Sequence, residues 1–334
     1  MLPVKIRATG AYIPCTAVHS TELDARFGCP PGHVEELTGI RTRYYGNELE
    51  TAPYMGAKAV GDALQRADLS IKQLDALVSV SGTSAQLIPC TASLILRDLG
   101  ELDAGIPAFD FNATCLSFIV GLDTISHLIA ARRYNRVALV AAESNAVFLN
   151  PHDVESASLV GDGAAAIILE RATEEESSCV VGSRFETYPR GSSSCEVRGL
   201  GTTLHPQGSR KPADDDNYLH MDGQNLFRMA YALMPGFIER YFAETHQRPE
   251  DFSFLIPHQA SGPAVRILLR RLIPPGTPED RIFIYYRDFG NVGAASIPLG
   301  IHLAVERDKI QRGDRVLLVG TGAGLSLGTA SFIY

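Results

Sequence analysis

Three polar residues stand where apolar runs give way to amphipathic ones, and their types suit covalent catalysis by a thiol nucleophile with polar groups beside it. Cys115 lies in DFNATCLSFIVGLDTISHLIAARR, where Phe109-Asp110-Phe111 reads as a strand and a helical period starts at Leu116. A thiol at a helix N-terminus faces unsatisfied N–H groups and the positive end of the macrodipole. Both favour a thiolate, so Cys115 is expected to be acidified and nucleophilic, and the same N–H groups could donate to an oxyanion. His258 in LIPHQASGPAVRILLRRL and Asn291 in DFGNVGAASIPLG also sit at strand-to-helix junctions. Taken singly, each has a plain reading: a buried inert thiol, a satisfied structural His or Asn. Together they fall at C-terminal ends of strands, where open α/β sheets place their sites.

Other motifs carry less. GTGAGLSLG (320–328) and GDGAAA (161–166) are glycine-rich, but a dinucleotide site needs a following βαβ unit and an acidic ribose partner. Close backbone approach to a substrate, or an amide for an oxyanion, explains them better. No HxxxH, HExxH or CxxC spacing supports a metal, so none is expected. NPHDVES (150–156) and the DDD run (214–216) read as loops. Residues 224–247 form a helix whose Leu226, Met229, Ala230, Leu233, Phe237 and Tyr241 should face the core.

The elements that must position these residues alternate as in an α/β fold, with near-continuous apolar strands at RVALVAA (136–142), GAAAIILE (163–170) and RVLLVG (315–320). The pattern repeats. DALVSVSG (75–82) matches FSFLIPHQ (252–259), residues 109–122 match 287–300, and RVALV (136–140) matches RVLLV (315–319), all offset by about 178 residues. This predicts two copies of one layer, 1–173 carrying Cys115 and 174–334 carrying His258 and Asn291. The Ser-, Gly- and Pro-rich stretch 174–223 forms a surface excursion between them. His258 falls opposite Ser81, and Asn291 falls beside the Cys115 position.

Composition agrees with a compact globule. The 334 residues are 45% hydrophobic and 20% charged, with net charge −8, which argues against disorder and against nucleic acid or anionic membrane as partners. The opening MLPVKIRATGAYIP fits neither a signal peptide nor a spanning helix. Six dispersed cysteines make no disulfide framework, so a cytoplasmic protein is expected.

Cys115 in NATCLSF, His258 in IPHQA and Asn291 in FGNVGAAS, with GDGAAA and GTGAGLSLGTA, resemble the thiolase-fold condensing enzymes. The nearest group is the β-ketoacyl-acyl carrier protein synthase III family. The likeness spans essentially the whole chain, including TGIRTRYY (38–45). It implies a five-layered αβαβα fold of two duplicated halves, a homodimer, and an acyl group carried on Cys115. The N–H groups of Cys115 and Ala323 would form the oxyanion hole. His258 and Asn291 would stabilise the enolate formed as a malonyl thioester loses CO2. Ile88, Leu116 and Phe118 are the implied acyl-pocket residues. Acyl-CoA or acyl carrier protein thioesters would be substrates, with acyl carrier protein as partner and no permanent cofactor.

The chain also departs from that family. It has no Trp, and the likeness places His33 where the family stacks a Trp on coenzyme A and Leu37 and Val154 at its two phosphate-binding arginines. The donor then arrives on a carrier protein, or coenzyme A is held by Arg41, Arg43 or the segment around Arg210 and Lys211. Thr321 replaces a Phe associated with decarboxylation. The alternatives are a non-decarboxylative long-chain condensing enzyme, which would need an acid such as Glu143 because Ile88 is apolar, and an ester- or amide-forming acyltransferase. A catalytically silent partner subunit is the non-enzyme reading, opposed by retention of Cys115, His258 and Asn291.

Overall fold

Strands with apolar residues on both faces need cover on both sides, and the chain supplies it by stacking helices and sheets alternately. The computed structural model describes all residues except 205–206, 209–212 and 273–278; the side chains of 270, 271 and 279 are likewise not described. In chain order the strands are β1 Val4–Tyr12, β2 Thr16–His19, β3 Thr42–Tyr45, β4 Ala76–Ser79, β5 Ala108–Asp110, β6 Arg136–Glu143 and β7 Gly163–Arg171. They continue with β8 Cys179–Gly191, β9 Cys195–Glu196, β10 His220–Met221, β11 Phe254–Pro257, β12 Arg315–Gly322 and β13 Gly324–Ile333. The helices are α1 Ser20–Phe27, α2 His33–Thr38, α3 Ala52–Ala67, α4 Thr91–Asp98 and α5 Ser117–Ala130, then α6 Val154–Leu159, α7 Gly223–Thr245, α8 Gly262–Leu272, α9 Tyr286–Phe289 and α10 Ser296–Glu306.

Two main sheets form, ordered β1-β7-β6-β4-β5 and β8-β13-β12-β11. Four strands correspond in order, β5 having no counterpart in the second sheet, with β4 and β11 parallel to β6 and β12, and β7 and β13 antiparallel to them. Side-chain alternation assigns the faces. In β6, Val137, Leu139 and Ala141 join the central core while Ala138, Val140 and Ala142 join a second core under α3 and α4. In β12, Val316 and Leu318 face the central core while Leu317 and Val319 face a third one under α7 and α8. The central core also holds the buried faces of α5 and α10, so the layers run α3/α4, sheet, α5/α10, sheet, α7/α8. A helix covered by sheets on two sides must be apolar nearly all round, and α10 is: Ile297, Pro298, Leu299, Gly300, Ile301 and Ala304 are all buried.

Two expected elements differ. Residues 287–289, matched in sequence to the β5 segment, are a helical turn. Gln259 Oε1 takes the N–H groups of Tyr285 and Tyr286 at 3.1 and 3.2 Å, so those donors do not enter a ladder, and pairing shrinks to a bridge between Leu255 and Ile282. NPHDVES, read as a loop, turns into α6 at Val154, because the Asp153 carboxylate accepts the N–H of Glu155 and caps the helix. The long helix stands as expected, although Leu226, Met229 and Leu233 are only partly buried.

Close approach of α5 to β4 depends on Gly121, where an added Cβ would lie 2.4 Å from Val80 Cγ1. Gly121→Ala is expected to cost about 1–3 kcal/mol through overpacking. Gly61→Ala, in the interior of α3 with only Leu99 Cδ2 at 4.0 Å from the new carbon, should gain roughly 1 kcal/mol. Urea midpoints of the two variants should therefore move in opposite directions.

Candidate active site

Cys115, His258 and Asn291 line one cavity of about 320 Å³. The first comes from the β5–α5 turn of one sheet, and the others from segments following β11 and α9 beside the second sheet.

The Cys115 turn is wound tightly. Thr114 adopts a positive φ of 53°, an uncommon conformation for a β-branched residue, and neighbouring polar groups hold it there. Asn112 Oδ1 accepts the Thr114 N–H at 3.0 Å, and Ser117 Oγ donates to the Thr114 carbonyl at 2.7 Å. From the other sheet, Gly322 passes so close that a Cβ there would meet Thr114 Oγ1 at 2.7 Å. This glycine therefore serves the approach of one chain segment to another, where the sequence had suggested approach to a substrate. The backbone N–H groups of Cys115 and Ala323 both reach the Cys115 sulfur.

The expected acidification of Cys115 does not survive burial. Desolvation pushes the thiol up to about 12, the nearby Cys195 and Glu143 add to the rise, and the two N–H groups only partly oppose it. The helix proper begins at Ser117, with Leu116 as its cap residue, so the sulfur lies two residues ahead of α5.

His258 is anchored at both ends. Its N–H bonds the Val319 carbonyl at 2.8 Å, and its Nδ1 shares a 2.5 Å hydrogen bond with Ser296 Oγ at the start of α10. With Ser296 donating, the ring is the Nε2–H tautomer, and Nε2 is the nitrogen not engaged by the protein. Burial lowers the imidazole to about 4, so it is neutral at pH 7. Gln259, fully buried next door, fixes this segment by donating to the Pro257 carbonyl at 2.7 Å while accepting from Tyr285 and Tyr286. Asn291 is held through its backbone to Leu159 and Gly161, and its Oδ1 accepts the Gly293 N–H at 3.0 Å, which leaves Nδ2 as its available donor.

The acyl-pocket residues inferred from the sequence lie elsewhere. Leu116 and Phe118 are 1% and 0% exposed and pack in the central core behind the site. Their helical phase is apolar on every side, so period alone could not say which layer they face. Ile88 is 80% exposed and away from the Cys115 cavity of its own chain. The cavity wall is instead built by Leu37, Leu159, Met221, Leu226, Phe227 and Leu325, with Cys195 and Thr321 beside Cys115. Among the described residues, the lining includes no Lys or Arg, and its one carboxylate is Glu155, whose pKa is raised by burial and by Asp153 and Asp222. Glu155 was missed within a presumed loop; the Asp153 cap signal could have placed it on a helix. Arg43 is also ruled out as a coenzyme A contact. It is 0% exposed and donates to Ser20 Oγ and the Ser158 carbonyl, whereas Arg41 is exposed and paired with Asp288 at 2.6 Å. Arg210 and Lys211 lie outside the described residues.

Known proteins resemble this chain along nearly its whole length. The family described as 3-oxoacyl-[acyl-carrier-protein] synthase III matches residues 109–189, and its C-terminal counterpart matches 242–334. The chain is 31% identical over 330 residues to the β-ketoacyl-[acyl-carrier-protein] synthase III of Aquifex aeolicus, covering 99% of each. The crystal structure of the 3-oxoacyl-[acyl-carrier-protein] synthase III from that organism superposes with a TM-score of 0.87 at 29% identity, covering 99% of this chain and all of the other. An OleA structure from Xanthomonas campestris, 20% identical, shares the fold with a TM-score of 0.85 over the full length of both chains.

A thiol held near 12 should be alkylated faster by about tenfold for each pH unit between 6 and 9, without a plateau. Peptide-mapped iodoacetamide labelling of Cys115 checks this; a plateau below pH 8 would indicate a helix-acidified thiol instead.

Proposed function

The chain belongs to the β-ketoacyl-[acyl-carrier-protein] synthase III family, and on that premise we propose that Cys115 takes an acyl group from a thioester and passes it to a malonyl thioester. The enzyme is an acyl-transferring condensing enzyme of the thiolase-like fold, a five-layered αβαβα stack. We read it as two halves, 1–173 and 174–334, that contribute to one site. The observation that carries the reaction is the meeting of Cys115, a neutral His258 and the free amide donor of Asn291 on one cavity.

In the first step the Cys115 sulfur attacks the acyl carbonyl as its thiol gives up its proton, which the departing carrier thiolate takes up. The developing oxyanion is stabilised by the N–H groups of Cys115 and Ala323, and the carrier thiol leaves with a proton. In the second, Nε2–H of His258 and Nδ2–H of Asn291 donate to the malonyl thioester carbonyl. The bond to the carboxylate breaks, CO2 departs, and its electron pair becomes an enolate that attacks the acyl-Cys115 carbonyl, releasing the Cys115 thiolate. Each preorganised donor in such a site stabilises the transition state by about 3 kcal/mol. A neutral imidazole suits this role, since it can donate without first losing a proton to the enolate.

Acyl carrier protein is the partner this reading favours over free coenzyme A. No Lys or Arg lines the cavity among the described residues, while exposed Arg228 and Arg266 flank the lining residues Phe227 and Ile267 and form a basic rim for an acidic carrier. No permanent cofactor is required, and the cytoplasm is the compartment this chemistry suits. A homodimer fits the exposed Leu87, Ile88, Val147 and Leu200, three of which line a second cavity of about 970 Å³. Ile88 then reaches an acyl pocket only across the pair of chains. A second reading, acyl transfer to an alcohol or amine without loss of CO2, is favoured by Glu155 as the cavity's one carboxylate, which would repel a malonyl carboxylate.

Acyl-CoA and acyl-carrier panels followed by intact-mass analysis should place one acyl group on Cys115, and none on Cys115→Ala. His258→Ala and Asn291→Ala should retain acylation while each loses about 10²–10³ in condensation with malonyl carrier. An adduct that is discharged to alcohols or amines but never releases CO2 would favour the second reading; no adduct with any donor would remove the enzymatic one.

A further inference from the structure

Glu143 ends β6 inside the molecule, 1% exposed, and has no part in the steps above. Its two oxygens collect donors from separate segments. Oε1 accepts the Gly82 N–H at 2.5 Å, Oε2 accepts the Thr83 hydroxyl at 3.0 Å, and the backbone N–H of Ala294 also reaches the carboxylate. The Gly82 and Ala294 contacts both lead to the site. The Gly82 carbonyl accepts Asn112 Nδ2 at 3.0 Å, and Asn112 Oδ1 in turn holds Thr114, the residue before Cys115. On the other side, Ala294 follows Gly293, whose N–H fixes the Asn291 side chain. Packing is equally close. A Cβ on Gly82 would lie 3.3 Å from the Thr114 carbonyl and 3.4 Å from Glu143 Oε1, and one on Gly293, which has φ +53°, would lie 3.3 Å from the Glu143 Cδ.

We propose that Glu143 is a positioning residue: its ionised carboxylate braces the Cys115 turn against the Asn291 turn, and condensation requires it in that form. The chemistry of the donor set demands a carboxylate. Three donors converge on two acceptor oxygens, and an amide offers one acceptor and sets its own NH2 against a donor. Protonation has the same defect. The titratable groups facing Glu143 are Cys115, from the turn before α5, and Asp162, from the turn before β7; the Gly82–Thr83 and Gly293–Ala295 segments bring none, and no cation pairs with it among the described residues. Burial raises Glu143 to about 7 and Asp162 to about 6, so the brace is complete above neutral pH and is lost as pH falls through 7. His258, near 4, cannot supply an acid limb in that range.

The inference rests on Cys115 and Asn291 acting together, and its test includes a substrate-free measurement. In Glu143→Gln at pH 8, kcat for condensation should fall by at least about tenfold, with KM for the acyl donor within about twofold, and the acid limb near pH 7 should disappear. Iodoacetamide labelling of Cys115 should instead become faster, because the negative charge that raises the thiol is gone. Thr83→Val, which removes one donor and thereby favours the protonated acid, should shift the limb to higher pH. That variant keeps the proposal testable if Glu143→Gln does not fold. Wild-type kcat and limb in Glu143→Gln, or an unmoved limb in Thr83→Val, would overturn it. If the wild-type enzyme itself gives no condensation, the labelling rates alone decide whether Glu143 acts on the Cys115 turn, so failure of the brace and failure of the reaction are separable.

Discussion

The cost of moving polar groups out of water governs the rest of the structure. Cys115, His258 and Glu143 are each pushed toward their neutral forms by desolvation; N–H groups or hydroxyls from two segments meet Cys115 and Glu143, and the Ser296 hydroxyl meets His258. The αβαβα stack makes this possible. With α5 and α10 between the sheets, the strand ends of both converge on a cavity whose wall is mostly apolar. Low polarity then strengthens each remaining donor, because charge developing on a substrate oxygen has little water to screen it.

That constraint also explains the thiol. A helix N-terminus lowers a thiol pKa when a cation or nearby donors outweigh desolvation; here desolvation, with Cys195 and Glu143, outweighs the two N–H groups. The N–H groups of Cys115 and Ala323 reach the sulfur but do not hold it as a resting anion. In a condensing enzyme this has a use, since a thiol at rest is protected from stray electrophiles and a bound thioester can bring its own polarised carbonyl to the same donors.

Much of this was legible in the sequence because it concerns periodicity and position. Near-continuous apolar strands announced two-sided cover, and the half-to-half offset set His258 opposite Ser81 and Asn291 beside the Cys115 position, although Asn291 follows a helical turn rather than a strand. The matching strand orders of the two sheets accord with that pattern. The failures have physical causes. The resemblance implies Leu116 and Phe118 as pocket residues, but both pack in the central core between the sheets, and helical period cannot distinguish core from cavity. Residues 287–289 carry a strand's composition, yet they wind into a helical turn just after Tyr285 and Tyr286, whose N–H groups are taken by the buried Gln259, 26 and 27 positions away in sequence. The acidity of Cys115 was judged from a local dipole, whereas the deciding term is nonlocal burial. Local signals missed only α6, where an aspartate cap stood in view.

The approach of Gly322 to Thr114 has a consequence for the order in which the protein is made. Ala323, whose N–H reaches the Cys115 sulfur, lies 209 residues beyond Thr114 and sits at the junction of β12 and β13. A ribosome therefore synthesises Cys115 long before the amide beside it, and a chain that stops short of β12 lacks the Ala323 N–H that reaches the Cys115 sulfur.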